Sequence, residues 1–160
     1  MELRDGDIEL RAWTLDDVPA IVAACNDAEI QHWIPVIPRL YTEADARAFV
    51  QGEVAGTGSH NFAITAGGRV VGSIGMKVND SRSGHVGYWC APEARGRGVT
   101  TRALRLLCKY SLEELKLERL ELITDPTTVP RNVSQRRSDS SAKVCCAPIS
   151  PIRMGAAATR

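Results

Sequence analysis

The chain has 160 residues, of which 44% are hydrophobic and 24% are charged, as is typical of one globular domain with a sizeable core. Its net charge of +1 at pH 7 argues against a nucleic-acid-binding surface. The sequence contains no apolar run of membrane-spanning length, and its first residues are charged, so we expect a cytoplasmic protein without a signal peptide or membrane partner.

Hydrophobic periodicity and turn residues predict alternating helices and strands up to residue 126. Thr14 and Thr42 each precede an aspartate by three residues, a pattern that caps a helix start, whereas residues 31–35 are predicted to form a loop. The predicted strands cover residues 8–13, 61–66, 69–78, 85–90 and 120–124, and the second and third of them form a β-hairpin around a Gly67-Gly68 turn. One helix is predicted from the Thr42 cap to about Val54, and the longest helix covers residues 99–115. This order predicts an α/β (α+β) domain with an antiparallel sheet packed by helices.

The five cysteines have neither metal-site nor disulfide spacing, and we predict no metal site. Cys25, Cys90 and Cys108 are isolated in apolar runs, where small buried thiols are expected. Cys145 and Cys146 are adjacent in a segment of different composition.

A glycine-rich turn at the start of the longest helix is the most informative feature. Arg95-Gly96-Arg97-Gly98-Val99 follows a strand, and such a turn leaves backbone N–H groups unpaired at the positive end of a helix. Glycines allow a phosphate to approach these groups closely, and arginines add charge. The pattern predicts a pyrophosphate site, although a glycine pair alone is equally compatible with an ordinary helix start.

Three stretches resemble the GNAT superfamily of N-acetyltransferases, and the resemblance is to the branch of the ribosomal-protein N-terminal (RimJ/RimL-like) acetyltransferases. They are ELRAWTLDD over residues 9–17, VGYWCAPEARGRG over residues 86–98 and LERLELITDP over residues 117–126. The resemblance covers residues 1–126 and implies the acyl-CoA N-acyltransferase fold, with a mixed, mainly antiparallel sheet and flanking helices.

The resemblance also implies a reaction: a primary amine, on a protein N-terminus or a small molecule, attacks the thioester of acetyl-CoA directly. The family's pyrophosphate motif falls on residues 95–100, where Thr100 replaces the usual glycine or alanine. The implied cofactor-binding residues are Trp89, Cys90 and Ala91 for the pantetheine arm, and Arg95, Gly96, Arg97, Gly98, Val99, Thr100 and Thr101 for the pyrophosphate.

Three further residues are candidates for catalysis or acceptor binding. His85 is the titratable residue on the pantetheine strand that is suited to proton transfer near neutral pH, and its alternative role is that of an exposed strand histidine. Trp33 and Tyr41 lie where the family forms its acceptor pocket, and packing is the alternative role for both. The oligomeric state implied is a monomer or a homodimer.

The segment from residue 127 to residue 160 departs from the family and from the rest of the chain. Residues 1–126 hold 14 Lys and Arg against 18 Asp and Glu, a net −4, whereas residues 127–160 hold 6 against 1, a net +5. The tail has no hydrophobic period and contains several prolines and serines, so we predict that it is disordered and replaces the family's last helix and hairpin.

The genetic code suggests a one-base frame change near Pro126 as the origin of this tail. Joining the last base of each codon to the first two of the next permits Asp at the Pro126/Thr127 junction and Asn at the Thr127/Thr128 junction, and later junctions permit more of the family's C-terminal sequence. Coding DNA whose shifted frame contains stop codons would overturn this hypothesis.

Two alternatives to an active acetyltransferase remain at this point. The first is a non-catalytic acyl-CoA-binding remnant, inactivated by its altered C-terminus. The second is another phosphate-binding module, such as a nucleotide binder, against which the absence of a Gly-Lys-Ser/Thr turn and of a parallel βαβ order argues.

Overall fold

A computed structural model of the protein describes residues 3–54, 56–79 and 82–122. Within these ranges, six strands form one sheet in sequence order, antiparallel except for the parallel pair formed by the last two strands. The strands are β1 Leu3–Asp5, β2 Ile8–Arg11, β3 Ser59–Ala66, β4 Arg69–Val78, β5 Ser83–Cys90 and β6 Arg119–Leu122. The α-helices are α1 Val18–Cys25, α2 Ala28–Trp33, α3 Glu43–Val50 and α4 Val99–Glu113. The predicted mixed, mainly antiparallel sheet is therefore confirmed.

The sheet separates two hydrophobic cores because side chains alternate between its faces. On β5, Val86 and Tyr88 belong to the core shared with α4, whereas Trp89 belongs to the core shared with α1, α2 and α3. The apolar face of α4 supplies Leu104 and Leu107 to the first core, as its helical spacing predicts. The β5 strand therefore has one face toward the long helix and one toward the three short helices.

The predicted hairpin is confirmed at both strands. Its two-residue turn consists of Gly67 and Gly68, whose φ angles of 56° and 81° lie in the left-handed region that a tight hairpin turn requires. The hairpin places β3 and β4 side by side in the middle of the sheet.

The structure corrects several predicted boundaries. β1 was not predicted, since three residues are too few for a periodic pattern. The predicted loop over residues 31–35 is wrong in its first three positions, which belong to α2. The helix begins because the Asp27 carboxylate accepts a hydrogen bond from the Ile30 N–H at 3.0 Å. The helix that was predicted to reach Val54 ends at Val50.

Both predicted helix caps are present. The Asp45 carboxylate accepts the Thr42 N–H at 2.8 Å, and the Thr42 hydroxyl accepts the Asp45 N–H at 3.2 Å, so that the two residues cap α3 reciprocally. The Asp17 carboxylate likewise accepts the Thr14 N–H at 2.9 Å, ahead of α1.

Asp17 also forms a bidentate ion pair that joins this helix start to the sheet. Two Arg11 nitrogens donate to its carboxylate oxygens at 2.7 and 2.8 Å, and Asp17 is only 6% exposed. The hydrogen bonds from Arg11 lower the pKa of Asp17 and outweigh the burial that would raise it. A carboxyl with a lowered pKa stabilises the fold above its unfolded pKa and loses that contribution as the pH falls through its folded value.

We therefore expect Asp17→Asn to lower the free energy of unfolding at pH 7 by about 1–3 kcal/mol. The difference from the wild type is expected to shrink below about pH 3.9, the ordinary pKa of aspartate, because the carboxyl of the unfolded wild-type chain then protonates before the folded one does. Urea denaturation at pH 7 and at pH 3 measures the difference in the free energy of unfolding between the two proteins at each pH. The control is Asp16→Asn, since Asp16 is exposed and adjacent. Equal losses from the two variants at pH 7 would contradict the role of the ion pair.

The predictions for Cys145, Cys146, the end of the last strand and the whole segment from residue 127 lie outside the described residues. So does the structural consequence of the proposed frame change. None of the described helices is long and apolar enough to cross a membrane.

Candidate active site

The glycine turn lies between β5 and α4, and a single turn of 3-10 helix, Pro92–Ala94, precedes it. Gly96 and Gly98 have φ angles of 74° and 73°, and Gly98 is the N-cap residue of α4. Residues with a side chain are strained in this conformation, so the backbone itself requires glycine at both positions. A Cβ atom built on either glycine meets no heavy atom of the described residues within 4 Å, so none of these residues fills the space above the turn.

The N-terminus of α4 presents backbone donors into that open space. The first helical hydrogen bond runs from the Arg102 N–H to the Gly98 carbonyl at 3.1 Å, so the N–H groups of Val99, Thr100 and Thr101 have no helical acceptor. The first turn of α4 contains no acidic residue. Unpaired N–H groups at the positive end of a 15-residue helix form a site for an anion such as pyrophosphate.

The two arginines of the turn differ in their surroundings. The Arg95 guanidinium donates to the Asp27 carboxylate at 2.7 Å, forms a second ion pair with Glu29, and donates to the Cys90 carbonyl at 3.2 Å. These contacts hold the glycine turn against the start of α2. Arg97 is exposed and has no ion pair within the described residues, so its charge is available to a ligand.

Thr100 replaces the usual small residue of the motif, and its N–H is one of the three without a helical acceptor. At the end of β5, the Cys90 thiol has a raised pKa, because burial outweighs the opposing effects of Thr100 and Arg95. The predicted cofactor residues at the end of β5 and in the turn are therefore contiguous in space.

Within the part of the chain that the structure describes, the outer edge of β5 is only partly paired. β6 pairs with Ser83 through Val86, and beyond Val86 no strand within the described residues pairs with this side of β5. Residues 87–90 thus offer a length of strand edge that leads from the glycine turn toward the middle of the sheet. An extended ligand can hydrogen-bond such an edge as an added strand does.

A cavity of about 720 Å³ lies on the face of β5 that is turned toward the short helices. Its floor is formed by neighbouring strands in register, with Gly87 opposite Gly75 and Trp89 opposite Ser73. Its walls come from α1, α3 and the loop after α2. A volume of this size is typical of sites for small molecules.

His85 lines the cavity and lies opposite Glu121 in the parallel pair of β5 and β6. The His85 Nδ1 atom is 3.3 Å from a Glu121 carboxylate oxygen. A carboxylate at Nδ1 favours the proton on that nitrogen and leaves Nε2 able to accept another. The sequence alone did not indicate that Glu121 lies beside His85, because the pairing of β5 with β6 joins segments that are distant along the chain.

The two aromatic residues predicted for the acceptor pocket are separated by the structure. Tyr41 lines the cavity, and burial raises the pKa of its hydroxyl to about 12, so that it is neutral at physiological pH. Trp33 does not line the cavity. It ends α2 and packs edge-on against His32, with ring centroids 4.6 Å apart.

Further cavity residues were not anticipated from the sequence. The Asn61 side chain lies over Gly75, so closely that a Cβ atom built on Gly75 would be 2.1 Å from the Asn61 side-chain oxygen. A Cβ atom built on Gly87, in contrast, meets no heavy atom of the described residues within 4 Å. Strand alternation places residues 85, 87 and 89 on one face, but the sequence does not show which helices return to cover it.

The sheet, the glycine turn and the cavity together form the acyl-CoA N-acyltransferase fold that the sequence predicted. Residues 7–132 match the family model described as Acetyltransferase (GNAT) domain. The chain therefore belongs to the GNAT acetyltransferase family.

Individual relatives agree with this assignment. Over 57 residues the chain is 39% identical to Putative ribosomal N-acetyltransferase YdaF of Bacillus subtilis, a stretch that covers 34% of this chain and 31% of that protein, or about a third of each. RimL, a ribosomal alpha-N-protein acetyltransferase in complex with coenzyme A, superposes with a TM-score of 0.77 at 18% identity, covering 86% of this chain and 82% of that one. The spermidine N-acetyltransferase of Vibrio cholerae, in complex with CoA and spermine, superposes with a TM-score of 0.73 at 17% identity, covering 84% of this chain and 80% of that one. At these identities the two structures are similar to this chain in fold.

Proposed function

We propose that this protein transfers an acetyl group from acetyl-CoA to a primary amine. The observation that carries the proposal is the unpaired N–H groups at the start of α4, continuous with the open edge of β5 and with the cavity that His85 lines. Membership of the GNAT acetyltransferase family supports the same reaction.

The residues of the glycine turn and the open strand edge fit a CoA molecule. The N–H groups of Val99, Thr100 and Thr101 would hold the pyrophosphate, and Arg97 would add its charge. Trp89, Cys90 and Ala91 would place their backbone along the pantetheine arm. Acetyl-CoA, when bound, supplies a thioester carbonyl that a neutral amine can attack.

The cavity residues would then position the amine and remove its proton. A protonated amine is not a nucleophile, so a nearby proton acceptor increases the reactive fraction. His85 fits this role because the Glu121 carboxylate lies 3.3 Å from its Nδ1 atom, which orients the ring and leaves Nε2 to face the amine.

The experiment that tests the proposal measures release of the CoA thiol from acetyl-CoA with and without added amines at pH 8. Amine-dependent release, with acetylated amine identified by mass spectrometry, is the expected result. Release that does not depend on any amine would contradict acetyl transfer. Displacement of a bound CoA by ATP at equal concentration would support a nucleotide-binding module instead.

Replacing His85 by glutamine is expected to lower kcat by about 10- to 100-fold while the affinity for CoA changes less than twofold. Glutamine keeps a polar side chain at the site but cannot accept the proton. Steady-state kinetics and calorimetric titration with CoA measure the two quantities. His60→Gln is the matched control, since His60 is a β3 histidine that contacts Tyr110 and does not line the cavity. An unchanged kcat in H85Q would remove His85 from the mechanism.

A non-catalytic CoA-binding protein is the second candidate, and the departure of residues 127–160 from the family's sequence favours it. Saturable CoA binding without turnover of any amine would identify it. Turnover that appears only in a frame-restored chain would show that the altered tail had removed the activity.

A further inference from the structure

Three residues that are unfavourable in strands lie side by side on the cavity floor. Asn61 of β3 lies opposite Gly75 of β4, and Gly75 lies opposite Gly87 of β5. All three line the cavity. Asparagine and glycine are depleted in strands, and glycine inside a strand often marks a place where a ligand approaches the backbone closely. Such a row across three neighbouring strands breaks the local preference of each strand, which indicates that this part of the floor is shaped for a ligand.

The Asn61 side chain extends along this row in the direction of Gly87. A Cβ atom built on Gly75 would collide with the Asn61 carboxamide oxygen, so the glycine leaves room for the carboxamide above its own backbone. Residues opposite each other in an antiparallel pair have Cα atoms about 4.5–5.5 Å apart. The carboxamide oxygen above Gly75 is therefore next to the space above Gly87, within hydrogen-bond reach of a group that enters it.

His85 borders the same space from a second direction. It precedes Gly87 by two residues on β5, so both residues face the cavity and lie about 7 Å apart along the strand. Glu121 contacts the Nδ1 atom of the imidazole and leaves Nε2 for the acceptor. A nitrogen atom above Gly87 would thus have a carboxamide oxygen on one side and an imidazole nitrogen on the other.

We propose that Asn61 binds the acceptor amine and makes the site selective for primary amines over their N-methyl derivatives, an inference that rests on the proposed function. A neutral primary amine has two N–H groups and one lone pair. One N–H would donate to the Asn61 carboxamide oxygen and the other to His85 Nε2. The lone pair then faces the thioester carbonyl, which is the orientation that attack requires.

The two hydrogen bonds have different fates in the transfer. The amine nitrogen forms a bond to the acetyl carbon, and His85 takes the proton that it had accepted in a hydrogen bond. The carbon–sulfur bond breaks, and the imidazolium gives that proton to the leaving thiolate. The N–H that faces Asn61 stays on the nitrogen and becomes the amide N–H of the product. An N-methyl amine has a methyl group in place of one N–H, so either Asn61 or His85 would lose its partner.

The test measures kcat/KM for butylamine, phenethylamine, spermidine and a tripeptide amide, and for the N-methyl derivative of whichever is acetylated fastest. The wild-type chain is expected to prefer the primary amine by at least about tenfold, because a site that hydrogen-bonds an N–H rejects an analogue without it. Asn61→Leu has a similar shape but no acceptor. It should lower kcat/KM about 10- to 100-fold for the primary amine and at most about threefold for the N-methyl amine.

Further variants separate the hydrogen bond from the strand. Asn61→Asp keeps an acceptor oxygen and should retain the wild-type preference within about threefold. Asn61→Ala also lacks the acceptor, and it replaces the leucine variant if thermal denaturation shows that the latter is unfolded. His60→Leu is the matched control, because His60 is the adjacent β3 residue, contacts Tyr110 and does not line the cavity. It should leave the preference within about twofold of the wild type, because alternation places it on the other face of the sheet.

The outcomes separate this inference from the proposed function. A folded acceptor-free variant with the wild-type preference would overturn the inference and leave the proposed function standing. So would a wild-type chain that acetylates the N-methyl amine as fast as the primary one, and so would equal losses for the two amines, which would make the role of Asn61 structural. A wild-type chain that acetylates none of these amines would overturn the proposed function and the inference with it.

Discussion

Gly98→Val is expected to weaken CoA binding by at least about 100-fold. The φ angle of 73° at Gly98 is strained for a residue with a side chain, at a cost of about 1–2 kcal/mol. In addition, the new side chain enters the open space in which the phosphates would contact the N–H groups of α4. Hydrogen bonds to a charged group contribute about 1.5–3 kcal/mol each, and the loss of about 2.7 kcal/mol corresponds to 100-fold in the dissociation constant.

The matched control for this variant is Gly68→Val in the hairpin turn between β3 and β4. Gly68 has a φ angle of 81°, and a Cβ there also meets nothing within 4 Å, so the backbone strain is similar while the phosphate site is untouched. Thermal denaturation should show a comparable loss of stability in both variants, and calorimetry should show weakened CoA binding in G98V alone. Equal weakening in both would mean that the glycine turn has no direct part in binding.

Gly87→Leu is expected to lower the rate of acetyl transfer by at least about 100-fold while the fold remains intact. Gly87 lies on the cavity floor between His85 and Trp89, and a Cβ built on it meets no heavy atom of the described residues within 4 Å. A leucine side chain would fill the region where the amine has to approach the thioester, and misplacement by about 1 Å can already cost 100-fold in rate. The substitution should not weaken β5, because glycine is a poor strand residue.

A graded series distinguishes blocking of the cavity from a general effect. Gly87→Ala should lower the rate less than Gly87→Leu, because its side chain is smaller, and both variants should melt at or above the wild-type temperature. Gly75→Ala is expected to unfold at a lower temperature, since its Cβ would lie 2.1 Å from the Asn61 side-chain oxygen. A wild-type rate in G87L would exclude this part of the cavity from the acceptor site.

The sequence predicted those parts of the molecule that depend on local patterns. The Gly67-Gly68 hairpin, the Thr42 and Asp45 cap and the glycine turn are each defined by a few consecutive residues whose backbone preferences determine the local structure. The same applies to α4, whose apolar residues recur at helical spacing.

The remaining features depend on contacts between distant parts of the chain. Arg95 was predicted as a source of charge for a phosphate, but it binds Asp27 and Glu29, which are 68 and 66 residues away in the sequence. Glu121 reaches His85 through the parallel pairing of β5 and β6. Neither contact has a local signal in the sequence. The start of α2 at Asp27, which places Trp33 at the end of that helix, also lacks the second cap residue that marks the Thr42 and Asp45 pair.

The most direct test of the central claim is calorimetric titration of acetyl-CoA into the 160-residue chain, with thermal denaturation of the same samples. One saturable site is expected, and at about 100 times the dissociation constant the ligand should stabilise the fold by about 2.7 kcal/mol, which raises the melting temperature by about 5 °C or more. A chain that melts cooperatively but neither binds acetyl-CoA nor changes its melting temperature would contradict the assignment of the glycine turn and the edge of β5 to this cosubstrate.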